Sequence, residues 1–280
     1  MIHQTIGVLH PGNMGVSVAA SIKAAGNEVI WASDGRSDAT RERASKAGLK
    51  DVTTLASLCG ACSIIVSVCP PHAAETVSQQ VLGHGFTGLY LDANAISPQT
   101  AVAIGEKVAT AGGSFVDGGI IGGPAWESGH TWLYLSGAAA DESAAILKGG
   151  PLEIAAIGSD PGNASALKMC YAAYTKGTSA LLSAIMAAAT HYGVRADLER
   201  QWSREGSDFA DKTTARVRRV TSKAWRFIGE MEEIAATFRA AGLPDGFHEA
   251  AADVYRRMAG LEELPDTPSL EHVLSRLLDS

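Results

Sequence analysis

The chain has 280 residues, enough for one large domain or two moderate ones with a hydrophobic core. Apolar residues make up 46%, so a compact fold needs neither disulfides nor a structural metal. There are 23 Lys plus Arg against 30 Asp plus Glu, a formal charge of -7, and no basic run interleaved with aromatics, which excludes nucleic acid as an expected partner.

Residues 5–9 read as an opening strand and 13–25 as a helix, followed by a strand at 28–32 and a helix at 37–47. Residues 52–58 form a short helix or turn, 63–68 an apolar strand, 73–82 a helix, 88–92 a strand and 98–111 a helix. Strands at 115–119 and 131–136 follow. Short, nearly continuous apolar strands alternating with helices predict a parallel sheet covered on both faces. After Gly158 breakers become scarce. Asp160 stands where it can cap a helix opened by Pro161, and the run 164–192 predicts one helix on the order of 40 Å long at about 1.5 Å per residue. Further helices are expected over 198–205, 208–241, 247–260 and 270–278, with Gly242-Leu243-Pro244 and Leu264-Pro265-Asp266 as stops. The expected fold is an α/β Rossmann-type N-terminal domain, residues 1–160, followed by an all-α C-terminal domain, residues 161–280, without an internal repeat.

Residues 1–9 lack the basic region and cleavage site of a secretory leader, and the weakly polar stretch 181–189 falls far short of the roughly 20 apolar residues of a spanning helix. A cytoplasmic protein with no membrane contact is expected. Cys59, Cys62, Cys69 and Cys170 are unevenly spaced in apolar surroundings and read as reduced thiols. The pair Cys59 and Cys62 has no second pair to complete a metal site, and His130 and His191 have no companions at ligand spacing, so no metal is expected.

The first strand runs into His10-Pro11-Gly12-Asn13-Met14-Gly15 and then a helix rich in Ala and Ser. A pyrophosphate must approach the backbone closely, so it needs a turn without side chains, where the helix N-terminus offers unpaired N–H groups. Gly12 serves as the close-approach residue and Gly15 allows tight helix packing, while His10 stands where the full fingerprint has its first glycine. These residues, with Gly7 in the strand, form the expected phosphate end of a dinucleotide site. At the end of the second strand, Ser33, Arg36 and Ser37 offer a cradle for a 2′-phosphate, which favours NADP; Asp34 offers the ribose contact that selects NAD.

These segments resemble the beta-hydroxyacid dehydrogenase superfamily, the group that also contains 6-phosphogluconate dehydrogenase and imine reductases. The likeness spans most of the chain and is nearest to a subgroup with a 6-phosphogluconate-dehydrogenase-like C-terminal domain. Beyond the glycine turn it rests on Val68-Cys69-Pro70-Pro71, on Leu91-Asp92-Ala93-Asn94-Ala95-Ile96-Ser97-Pro98, on Asp117-Gly118-Gly119-Ile120-Ile121-Gly122-Gly123-Pro124, and on Lys168. The resemblance implies that Cys69, Pro70, Pro71 and Asn94 border the nicotinamide, that Ile121, Gly122 and Gly123 meet the substrate, and that Lys168 is the catalytic lysine. It also implies a homodimer whose helical domains complete the active clefts. Two positions depart from the family pattern. Ile121 stands where a serine is common, and Ala172 where an asparagine follows the lysine. Lys168 in turn departs from imine reductases, which lack that lysine.

Hydride transfer needs a carbonyl or imine carbon beside the nicotinamide and a proton donor near the heteroatom. Lys168 is the candidate donor and acceptor, with Tyr171 and Asn94 beside it as catalytic candidates. Lys176 either binds an acidic substrate group or pairs with a surface carboxylate, and Asp117 either faces the cleft or caps a turn. Trp202 and Phe209 are candidates for an aromatic wall of the substrate pocket. The expected protein is an NAD(P)-dependent oxidoreductase, NADP-preferring, acting on a small polar carbonyl or alcohol. Imine reduction and a non-catalytic dimeric cofactor-binding protein are the competing readings.

Overall fold

In the computed structural model, which describes residues 3–279, the chain divides into two compact units, Met1–Met169 and Cys170–Ser280. The division falls inside the helix that the sequence assigns wholly to a domain beginning at residue 161, so the first turns of that helix belong to the N-terminal unit.

The first unit alternates strands and helices: β1 (Thr5–Leu9), α1 (Asn13–Ala24), β2 (Glu28–Trp31), α2 (Asp38–Lys46), β3 (Lys50–Asp51), α3 (Leu55–Ala61) and β4 (Ile64–Ser67). Then come α4 (Ala74–Gly83), β5 (Leu89–Asp92), α5 (Pro98–Thr110), β6 (Ser114–Ile121), β7 (Trp132–Ser136), α6 (Ala140–Leu147), β8 (Glu153–Ala156) and α7 (Asn163–Ala172). The eight strands form one sheet in the order β3-β2-β1-β4-β5-β6-β7-β8. The Rossmann-type expectation holds, with one change: β7 runs antiparallel to β6. The ten residues between them include four glycines or prolines and no helix, whereas a parallel return needs a crossover. The sequence reading also passed over β8 and α6, both short.

The strands are apolar on both faces. Ile6, Val8, Val66, Leu91 and Val116 pack toward one side and Ile30, Ile65, Tyr90 and Phe115 toward the other, each set joined by side chains from the covering helices. Because β1 lies between β2 and β4, the chain leaves it in opposite directions on its two sides. In such a sheet the crevice beyond the carboxyl ends of the strands at this point is where ligands bind.

The second unit is all helical: α8 (Thr178–His191), α9 (Arg195–Trp202), α10 (Phe209–Val220), α11 (Ala224–Ala240), α12 (Gly246–Met258) and α13 (Leu270–Leu278). Its core contains Met186, Val217, Met231, Ile234, Tyr255, Met258, Val273 and Leu274. The single helix expected over 208–241 is broken at Thr221–Lys223 without help from Gly or Pro. Thr221 and Ser222 hydroxyls donate to the carbonyls of Arg218 and Arg219, at 2.7 and 3.1 Å, and so compete with the helical ladder. Among the described residues, no helix is long and apolar enough to cross a membrane.

The helix expected over 164–192 is also not uniform, since Ala173–Gly177 forms a π-helical turn between α7 and α8. One extra residue turns the following side chains by about 100° relative to a regular helix. Lys176, inside this turn, pairs with Glu230 of α11 at 2.6 Å, the two side chains being 13% and 10% exposed. Its ammonium lies 5.0 Å from the Phe227 ring centre, and its carbonyl accepts the Tyr255 hydroxyl. The structure shows Lys176 in a carboxylate pair, with a buried partner where a surface one was expected. Lys176→Met, which strips a buried carboxylate of its cation, is expected to lower unfolding free energy by about 3 kcal/mol or more in urea denaturation, and Lys176→Met with Glu230→Leu to recover most of that loss.

Candidate active site

The turn after β1 is built around a clash that only glycine avoids. His10 sits in the left-handed region at φ 62°, which costs a non-glycine residue about 1 kcal/mol or more, and its carbonyl turns back to accept the Gly12 N–H at 2.6 Å. That carbonyl lies 2.4 Å from where a Gly15 Cβ would stand, so α1 can start here only with glycine at that position. The left-handed backbone at His10 also explains why a glycine is the usual occupant of its place. Gly12 is different: a Cβ there would meet nothing nearer than the His10 oxygen at 3.9 Å. The missing side chain leaves open space over the first turn, where the N–H groups of Asn13, Met14 and Gly15 have no intrahelical acceptor. This is a cradle that fits a pyrophosphate. Gly7, grouped with this site from the sequence, belongs elsewhere. It is buried in mid-strand, and a Cβ would strike Leu58 at 2.6 Å and Cys62 at 3.0 Å, so it serves the packing of α3.

Beside the turn, a cleft of about 140 Å³ is lined by Leu9, His10, Ala32, Asp34, Arg36, Leu55, Val77 and Gln80. Its apolar walls and position at the carboxyl ends of β1 and β2 suit the adenosine half of a dinucleotide. Arg36 is there as expected. Ser33 is not available: it is buried, close to Asp51 on β3. The Ser37 hydroxyl caps α2 by accepting the Thr40 N–H at 3.4 Å. The sequence reading missed Arg43, on the second turn of α2, which donates to the Pro11 carbonyl at 3.4 Å and to Thr40 at 3.1 Å and ties a second cation to the glycine turn. The signal was the basic content of 36–43, visible once α2 is seen to begin directly after the strand end. Burial, and after it the Arg36 charge, pushes His10 down to about 4, so its ring is neutral at physiological pH.

The ends of β4 and β5 are held by one side chain. Asn94 is buried, its oxygen accepts the Cys69 N–H at 2.5 Å, and its amide donates to Ser67 at 3.2 Å and Asp92 at 2.9 Å. Both amide hydrogens are engaged, so Asn94 fixes the Cys69-Pro70-Pro71 border rather than acting on substrate or cofactor itself. This corrects its catalytic and cofactor-contact assignment. Pro71 opens a single 3-10 turn, and His72 is exposed. Burial, reinforced by Asp117, pushes the Asp92 carboxyl up to about 7 against the hydrogen bonds from Asn94.

Strand β6 joins this region to Lys168. Gly118 lies against Asp92 and Ala93, where a Cβ would be 2.8 Å from the Asp92 carbonyl; Gly119 faces α7, where a Cβ would be 2.5 Å from the Ala164 carbonyl and 3.1 Å from the Lys168 Cβ. The glycine pair therefore lets α7 lie directly on the sheet with half-buried Lys168 against it. Asp117, buried immediately before this glycine pair, is neither a cleft residue nor a local turn cap. Its carboxylate accepts the N–H groups of Gly162 and Ser165 and the hydroxyls of Ser136 and Ser165, at 2.5–3.0 Å. Ser136 in turn accepts the Ala164 N–H at 3.0 Å. A strand carboxylate thus does the capping expected of Asp160, and the helix begins at Asn163. Ile121 ends β6 half-buried, followed by exposed Gly122 and Gly123.

In the helical unit, Tyr171 is exposed, and Trp202 and Phe209 pack edge to face on each other with ring centres 5.2 Å apart. Among the described residues no group of His, Cys, Asp and Glu could hold a metal. Burial pushes the Cys59 and Cys62 thiols up to about 11 and Cys69 to about 12, which makes them poor nucleophiles.

Residues 5–148 match the family of the NAD binding domain of 6-phosphogluconate dehydrogenase, and residues 189–258 match a domain of unknown function, DUF1932. A Methanothermus fervidus protein described as an uncharacterized 28.5 kDa protein in the 7S RNA 5′ region is 32% identical over 192 residues, 68% of this chain and 73% of its own. A solved conserved protein of unknown function, reported as structurally similar to 3-hydroxyacid dehydrogenases, is 28% identical with TM-score 0.68, covering 93% of this chain and 99% of its own. The 3-hydroxyisobutyrate dehydrogenase of Mycobacterium tuberculosis shares the fold at TM-score 0.73 and 18% identity, over 99% of both chains.

Gly12→Val is expected to fold and to keep its thermal midpoint within about 4 °C of wild type, since its Cβ comes no nearer than 3.9 Å to the His10 oxygen, and to abolish binding of a nicotinamide dinucleotide in calorimetric titration. Asp92 makes a pH prediction. Its folded value near 7 lies above the unfolded value of about 3.9, so its contribution is fully present below about pH 4 and lost as pH rises through 7. Asp92→Asn should therefore reduce the decline in unfolding free energy between pH 4 and pH 8, by an amount on the order of a few kcal/mol, in urea titrations at each pH.

Proposed function

The chain belongs to the 6-phosphogluconate dehydrogenase NAD-binding, beta-hydroxyacid dehydrogenase-like superfamily, and from that premise we propose that it is an NADP-preferring oxidoreductase of a small polar carbonyl or alcohol. The fold is that of NAD(P)-binding oxidoreductases. The observation that carries the reading is the space left by Gly12 over the first-turn amides of α1, at the place where the strand order reverses. When bound, the nicotinamide cofactor supplies or accepts the hydride.

The residues of this chain do the rest. Asn13, Met14 and Gly15 amides hold the pyrophosphate, and the cleft at Leu9 and Ala32 takes the adenosine. Arg36 and Arg43 supply the planar donors that a 2′-phosphate needs, which supports NADP over NAD, while the exposed Asp34 stands in the same loop. Cys69, Pro70 and Pro71, held by Asn94, border the nicotinamide side. Lys168 gives a proton to the substrate oxygen in reduction and takes it back in oxidation, and the Asp117 anchor of α7 fixes where it stands against β6. Ile121 in place of a serine makes the β6 end less suited to an anionic group, which favours a neutral carbonyl over a hydroxy acid. The reading includes a cytoplasmic homodimer, supported by four free thiols and by exposed Leu181, Tyr192 and Trp225 in the helical unit.

The test is an NADPH-oxidation screen over ketones, hydroxy acids in the reverse direction, and imines, run with wild type and Lys168→Met. With an active substrate, Lys168→Met is expected to lower kcat by about 100-fold or more while NADPH affinity stays the same. Equal turnover by the variant contradicts the role of Lys168. NADPH binding with no turnover of any class favours a non-catalytic cofactor-binding protein.

A further inference from the structure

The turn after β1 keeps an imidazole at a position where glycine would be unstrained. His10 is one of only three described non-glycine residues with positive φ, the others being Thr53 and Glu205. Such an outlier, retained in a ligand turn, asks what the side chain does. His10 lines the cleft assigned above to adenosine, together with Leu9, Ala32, Leu55 and Val77.

The ring's two nitrogens are in different surroundings. Nδ1 is buried and has no hydrogen-bond partner. A buried N–H with no acceptor is more costly than a buried bare lone pair, so Nδ1 is the unprotonated nitrogen. The proton then resides on Nε2, which unlike Nδ1 is not among the buried, unpartnered atoms, in a residue that lines the cleft and whose imidazole feels the charge of Arg36, another lining residue. Burial and the neighbouring Arg36 keep the ring neutral, so it offers one N–H donor and no charge. The phosphates already have the first-turn amides and the arginines. Neutral side-chain donors for a ring nitrogen or ribose oxygen are few in this cleft: Leu9, Ala32, Leu55 and Val77 provide none, which leaves His10 at the end of β1 and Gln80 on α4.

We propose that the Nε2–H of His10 donates a hydrogen bond to the adenosine half of the dinucleotide, so that this ring sets affinity for that half. The inference rests on the cofactor reading and deepens it. It assigns the residue a contact of its own, beyond filling the place of a glycine in the turn.

The experiment uses the full chain and two probes, adenosine 2′,5′-bisphosphate for the adenosine half and inorganic pyrophosphate for the turn alone. Calorimetric titration compares wild type with His10→Gly, which fits the positive φ, and His10→Asn, which tolerates it and lacks a donor at Nε2. Both variants are expected to bind the bisphosphate about ten-fold more weakly, to bind pyrophosphate as wild type does, and to melt no lower than about 2 °C below it. Bisphosphate affinity unchanged in either variant overturns the proposal while leaving the cofactor reading intact. An equal loss for both probes also overturns it, because the turn and not the ring would then be responsible. A wild type that binds neither probe sinks the cofactor reading, and this inference with it.

Discussion

A carbonyl oxygen and a helix start occupy the same few ångströms above the end of β1, and the N-terminal unit is arranged around that crowding. The His10 carbonyl bends back 2.6 Å from the Gly12 N–H and fills the place of a Gly15 side chain. The arrangement forces a left-handed residue at position 10, a glycine at 15 and an abrupt entry into α1. Its result is a helix N-terminus with unpaired amides facing open space, at the point of the sheet where the strand order reverses. Strand order alone gives many proteins a crevice here. The turn makes this one fit a diphosphate.

A second restraint acts three strands from β1, at β6. Strand β6 offers two glycines for close approach and one buried carboxylate for attachment, in the consecutive residues Asp117, Gly118 and Gly119. Asp117 and Asp92 lie opposite each other in neighbouring parallel strands, both buried. They differ in their partners. Asp117 receives four donors and anchors the start of α7, while Asp92 receives only the two from Asn94 and carries the burden of burial beside a like charge. The pair shows how two neighbouring strands sustain two buried carboxyl groups, one satisfied as an anchor and one pushed up to about 7. Lys168 takes its position from the better-satisfied of the two.

Much of this was readable in the sequence, and the exceptions share a cause. The β1 turn, the β2 end with Arg36, and the apolar strands are local patterns, so the Rossmann-type unit followed from residue order, and with it the turn proposed to hold the cofactor. Asn94 and Ser33 read as ligand contacts in sequence, and Lys176 as either a ligand contact or a carboxylate partner, because their chemistry permits it. Their partners Cys69, Asp51 and Glu230 come from other elements, and no local rule reveals that both amide hydrogens of Asn94 are engaged. Gly7 carries the same lesson, since the atoms it avoids belong to α3. Asp117 was the reverse case: a possible turn cap by sequence, it proved to be a cap acting across 45 and 48 residues. The π-turn at Ala173–Gly177 left no mark in composition, yet it decides where Lys176 points.

The central claim is that the open face of Gly12 receives the pyrophosphate of NADPH, with the adenosine beside His10 and Arg36. A crystal structure of the wild-type chain grown with NADPH tests this most directly. The account predicts diphosphate oxygens within hydrogen-bond distance of the Asn13, Met14 and Gly15 amides and the 2′-phosphate on an arginine of the β2–α2 segment. A dinucleotide bound elsewhere, or a β1 turn left bare at saturating NADPH, would contradict it.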